Sequence, residues 1–130
     1  MSEPAAKEGD KITATDTHIE MVTILVPVPI PFPHSFEGEI DGELSSDVNI
    51  EGKPAATEDS TATNSPTHSP RAGFFQNPPA DKGKIIQGSG TVKINGKAAA
   101  RNGDQAETCN DPADLPAGSV EASGTVYIGG

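Results

Sequence analysis

The chain has no tryptophan, one cysteine, one tyrosine and four phenylalanines in 130 residues. With aromatics at 4% and all hydrophobic residues at 33%, a large apolar core is excluded. The single cysteine excludes an internal disulfide. A domain this lean in apolar side chains needs another staple, which leaves a metal or a partner. Positive charge is also scarce, with nine Lys and Arg against nineteen Asp and Glu and a net charge of −10. The basic residues are dispersed, which argues against nucleic acid and anionic membrane surfaces as partners, since both reward Lys/Arg clusters. The opening Met1-Ser2-Glu3-Pro4 has neither a basic nor an apolar leader region, so synthesis in the cytosol without a secretion signal is expected. No stretch shows a period of 3.6, so no long helix is expected, and Leu115 to Val120 reads as a turn.

Fourteen glycines and twelve prolines bring the composition near that of disordered chains. A repeat argues for a fold. Ser89-Gly90-Thr91-Val92-Lys93-Ile94-Asn95-Gly96-Lys97-Ala98-Ala99-Ala100-Arg101-Asn102-Gly103-Asp104 is a complete unit, and Ser45-Ser46-Asp47-Val48-Asn49-Ile50-Glu51-Gly52-Lys53-Pro54-Ala55-Ala56-Thr57-Glu58-Asp59 is a second. The C-terminal Thr125-Val126-Tyr127-Ile128-Gly129-Gly130 holds only the front of the unit, and Pro4-Ala5-Ala6-Lys7-Glu8-Gly9-Asp10 only its back. Joining the ends completes a third copy. Each copy alternates apolar and polar residues like a half-buried strand, and Asn95-Gly96 suits the two positive-φ sites of a type I′ turn. The expectation is one all-β domain, residues 1–130, of pseudo-threefold hairpin repeats closed by adjacent termini, with alanines crowded at the axis.

Met21 to Pro33 is the only strongly apolar run. It is too short to span a membrane, and prolines at alternate positions exclude a helix. It reads as an extended segment with all its prolines on one side, either an edge strand over the small core or an apolar docking surface. Residues 61–84, which contain Phe74-Phe75, read as a long irregular loop.

His18 follows Pro4 by fourteen residues, His68 follows Pro54 by fourteen, and Cys109 lies on the matching outgoing segment of the third unit, eleven after Ala98. Threefold closure would bring these three together, and His34 would supply a fourth ligand. Three imidazoles and a thiolate suit tetrahedral Zn²⁺, and Fe²⁺ accepts the same set. A site closed by four protein ligands is structural, because a catalytic zinc keeps one position for water. Neither a His-Glu-x-x-His motif nor a cleft for a Cys–His pair is visible, so no enzymatic activity is expected.

The three units resemble the Pro-Ala-Ala-Arg motif of the PAAR-repeat family, and Gly88-Ser89-Gly90-Thr91-Val92 resembles that family's approach to the motif. No copy is complete: Lys7 and Thr57 stand where the family has arginine, Ala98 where it has proline, and the middle copy lacks the Gly-Asp step. The resemblance implies a small β-cone with one structural zinc near its apex. Such a cone caps and sharpens the trimeric VgrG-like spike of a contractile injection system, whether type VI secretion or an extracellular, phage-tail-like particle. It further implies one copy per spike, a monomer when isolated, and delivery outside the cell with the particle. Val28, Ile30 and Phe32, with apolar positions near the hairpins, are the candidate spike contacts. An adaptor that tethers a separate effector through the 61–84 loop is the alternative.

Overall fold

The computed structural model describes residues 2–130. Thirteen strands follow in chain order: β1 (Glu3–Pro4), β2 (Lys11–Thr23), β3 (Pro27–Gly42), β4 (Asn49–Ile50), β5 (Lys53–Pro54), β6 (Thr61–Asn64), β7 (Phe74–Phe75), β8 (Lys82–Ile85), β9 (Lys93–Ile94), β10 (Lys97–Ala98), β11 (Gln105–Thr108), β12 (Leu115–Glu121) and β13 (Tyr127–Ile128). No helix occurs among the described residues.

Both internal repeats fold as hairpins for the reason their turns suggest. Glu51-Gly52 and Asn95-Gly96 have φ values of 52°, 81°, 53° and 81°, so β4 pairs with β5 and β9 with β10. The third hairpin is made by the chain ends: Glu3 lies opposite Ile128 and Pro4 opposite Tyr127. The split repeat closes as its sequence requires.

Behind the hairpins the alanines meet. The Ala6 N–H donates to the Ala100 carbonyl at 3.0 Å, Ala100 to Ala56 at 3.1 Å, and Ala56 to Ala6 at 3.0 Å. A second ring repeats the pattern: Glu8 N–H to Pro54 O at 2.9 Å, Glu58 to Ala98 at 2.8 Å and Asn102 to Pro4 at 2.9 Å. These cyclic bonds define the pseudo-threefold axis. A side chain larger than methyl would prevent three backbones from approaching this closely.

From the axis each copy sends one strand out and one back. The outgoing β2, β6 and β11 alternate with the returning β3, β8 and β12, and the β12–β2 pairing closes all six into a barrel. Ile12, Ala62 and Ala106 point inward from the outgoing strands, and Ile40, Ile85 and Val120 from the returning ones. Two residues before each of the latter is a glycine: Gly38, Gly83 and Gly118. A methyl at Gly38 would stand 2.7 Å from the Thr63 carbonyl oxygen, and one at Gly118 3.1 Å from Thr108. The narrow barrel therefore takes one aromatic residue, Phe36, fully buried against Gly83.

Two expectations are corrected. Residues 61–84 are not one irregular loop, because β6, β8 and the short β7 lie within or across that span. Its Gly83 and the alternation Lys82-Gly83-Lys84-Ile85 fit a narrow barrel interior, where glycine serves as an inward residue. Leu115 to Val120 is likewise strand, not turn, and β12 completes the barrel. The Met21 to Pro33 run is extended, with Pro27, Pro29, Pro31 and Pro33 all outward, but it folds back at residues 24–26 and so forms the far end of the β2–β3 hairpin.

The middle copy keeps its turn by substitution. Lys7 and Arg101 N–H groups donate to the Asp10 and Asp104 carboxylates, and the same side chains form ion pairs at 3.2 and 2.9 Å. In the second copy Thr57 N–H donates to the Ser60 hydroxyl at 2.9 Å. Asp59 adopts φ = 80° where the other copies place Gly9 and Gly103 at 91° and 88°. Asp59→Gly is therefore expected to stabilise the protein by about 1 kcal/mol, since the left-handed region strains a residue with a Cβ; thermal melting checks it. Ala100→Leu is expected to cost about 3 kcal/mol or more by overpacking the axis, read as a lower denaturant midpoint.

Candidate metal centre

Beyond Phe36 the barrel interior turns from apolar to ionisable. Asp16 and His18 point inward from β2, His34 from β3, His68 from the segment after β6, and Cys109 immediately follows β11. Donor atoms of Asp16, His18, His68 and Cys109 all lie within 4.8 Å of one another. The His18 ring centroid is 5.0 Å from that of His68 and 5.7 Å from that of His34. All four ligands read from the sequence thus reach one region, and Asp16 joins them. His34 is turned toward a different partner: its Nε2 lies 3.1 Å from the buried Glu20 carboxylate.

Asp16 accepts from the Thr108 hydroxyl, from Cys109 Sγ at 3.4 Å and from His68 Nε2 at 2.9 Å. Among the described residues no lysine or arginine pairs with it. His18 is the clearest indicator. Both its ring nitrogens are buried without a hydrogen-bond partner, a state that costs about 1–3 kcal/mol unless something else satisfies it. A buried carboxylate, a thiol and an imidazole with unused lone-pair capacity together suit a divalent cation. Burial, with Asp16 beside it, pushes the Cys109 thiol up to about 12. Without a cation the sulfur therefore keeps its proton; a bound metal would displace it.

The surroundings hold these groups in place. Asn64 donates to His68 Nδ1 at 3.2 Å, and Asp81 accepts from both Asn64 and the His68 N–H. Glu20 accepts the N–H groups of Arg71, Ala72 and Gly73, tying that turn to β2. Burial alone would raise the Glu20 pKa, but these backbone donors, with His34 nearby, hold it below its ordinary value. Burial, with His68 alongside, lowers that of His34. The sequence reading missed Asp16 and Glu20. Their signal was position: Asp16-Thr17-His18-Ile19-Glu20 places three ionisable groups at alternate, inward sites of a strand.

Val28, Ile30 and Phe32 are half-buried on the same face of β3 as His34. Phe32 stands opposite His18, Ile30 opposite Glu20 and Val28 opposite Val22, roughly 26–40 Å of strand from Ile40.

Residues 76–130 match the family model described as the PAAR motif. These residues carry a PAAR motif. The match covers the third copy and the C-terminal half-copy, and the cyclic hydrogen bonds at the axis show that the first two copies share their plan. A search of curated proteins finds no match. The motif supports a spike-tip-associated protein of a type VI secretion or similar system; the PAAR family is structural and associates with a VgrG-like spike.

Two outcomes follow from the site. His34 and Glu20 both have folded pKa values below their ordinary 6.5 and 4.5, so the folded state binds fewer protons than the unfolded one. Stability of chelator-treated protein should be full above pH 6.5 and fall as pH drops through that value and then through 4.5, as urea titration at stepped pH would record. Cys109 should resist a thiol reagent in the native protein and react once it is unfolded, because it is only 3% exposed.

Proposed function

We propose that this protein caps and sharpens a trimeric VgrG-like spike, one copy per trimer, and so aids membrane piercing. The observation that carries this reading is a triangle of equivalent valines. Val48, Val92 and Val126 precede the three hairpins at matching positions and are 36%, 36% and 40% exposed. Directly beneath, Ile50, Ile94 and Ile128 pack with Ala5, Ala55 and Ala99. A single chain that offers three near-equivalent apolar corners meets a true threefold platform without trimerising. This assigns docking to the hairpins in place of Val28, Ile30 and Phe32, which sit at the far end of β3. Docking of this kind should bury roughly 1,000 Å² or more. Val92→Asp combined with Val126→Asp should abolish the one-to-three complex in native mass spectrometry while leaving the melting temperature nearly unchanged. Retained binding would exclude the valine face.

The cation proposed for the site is one structural Zn²⁺. His18, His68 and Cys109 belong both to the ligand set expected from the sequence and to the set drawn together by the fold. The fourth place falls to His34 or Asp16, and metal content decides between them. Loss of a true ligand should lower affinity well beyond the ~10–100-fold expected for a neighbour that only orients one. Comparing His34→Gln with Asp16→Asn by metal-buffer titration gives the answer.

A further inference from the structure

The β2–β3 hairpin extends past the metal cluster and ends in a turn whose side chains touch almost nothing. Ile24, Leu25 and Val26 are 70%, 95% and 64% exposed. From Met21 to Pro33 there is no charged residue, in a chain with a net charge of −10. Charge resumes on the same strand at Glu37, Glu39 and Asp41.

The outward N–H positions of this arm are closed along both margins. On β3, Pro27, Pro29, Pro31 and Pro33 stand opposite Thr23, Met21, Ile19 and Thr17. The residues between them make the cross-strand bonds, so the prolines occupy the positions whose N–H would otherwise face outward, and proline has none. On β2 the outward N–H groups are occupied: Thr17 donates to Asn110 Oδ1 at 2.6 Å, Ile19 donates to Asp111 Oδ2 at 2.7 Å, and Met21 pairs with Phe74 of β7. A partner that adds a strand beside β3 would find no donors, and the exposed Arg71 at the arm's inner end already donates to the Pro33 carbonyl at 3.1 Å. An apolar phase penalises every unsatisfied backbone polar group, and this arm presents fewer of them because its outward N–H positions are filled or absent.

We propose that the turn at Ile24-Leu25-Val26 inserts into the outer part of a lipid bilayer, with the acidic stretch from Glu37 onward remaining in water. The contact is apolar, not electrostatic, since an acidic chain gains nothing from anionic headgroups. The inference concerns the isolated protein and does not rest on spike docking.

The chain has no tryptophan, so Leu25→Trp gives a single reporter at the turn. With zwitterionic phosphatidylcholine vesicles its emission should shift to the blue and be quenched by bromine-labelled acyl chains, with little change between low and high salt. Ile24→Asp with Leu25→Asp should weaken vesicle binding about 100-fold or more. Both variants should keep the wild-type melting temperature, because these side chains lie outside the core. Native-like emission of Leu25→Trp in the presence of vesicles overturns the proposal, as does binding that requires anionic lipid or disappears with salt. A blue shift produced only by a protein partner would reassign the arm to protein recognition and equally overturn it. Binding of the aspartate variant to a spike trimer is read separately, so failure at the membrane does not touch the docking face.

Discussion

Three alanine backbones exchanging hydrogen bonds around an axis set what the rest of the molecule can be. Ala6, Ala56 and Ala100 are each fully buried, and each donates to one neighbour and accepts from the other. Such a ring pairs both the N–H and the C=O of Ala6, Ala56 and Ala100, groups that would be costly to bury unpaired. It also fixes the angular spacing of the six barrel strands, and hence the narrow bore in which methyl, isopropyl and sec-butyl groups suffice. The scarcity of large hydrophobics and the abundance of glycine follow from the same constraint.

That bore explains why the ionisable cluster lies where it does. Past Phe36 imidazoles, a carboxylate and a thiol occupy the interior, with the half-buried Phe75 ring 5.5 Å from His34 and 5.9 Å from His18. Hydrophobic burial cannot hold this end together. Coordination of a cation by groups from β2, from the segment after β6 and from the end of β11 would join all three copies there, as the alanine ring joins them at the other end.

The repeat made the hairpins, the closure by β1 and β13 and the alanine axis legible, because each rests on local chemistry repeated three times. The returning strands were harder to see. Their shared signature is short, Gly38-Glu39-Ile40, Gly83-Lys84-Ile85 and Gly118-Ser119-Val120, and glycine in a strand ordinarily argues against one. Only the barrel's close packing makes it favourable. The site was legible as a set of soft ligands but not in its detail. Carboxylates are common on an acidic surface, so Asp16 and Glu20 stood out only once strand β2 turned them inward.

The pairing of Glu3 with Ile128 has a consequence for biosynthesis. Strand β1 must wait for β13 to complete its hairpin, and β2 must wait for β12, whose pairing closes the barrel. Until then the Ala5 N–H lacks its Val126 acceptor, and the early β2–β3 hairpin exists with the side of β2 that β12 covers still open. Contacts between chain ends carry the largest loop-closure cost and form slowly. Closure of the fold is therefore expected to be a single late event, before which the chain depends on its prolines and acidic residues to remain unaggregated.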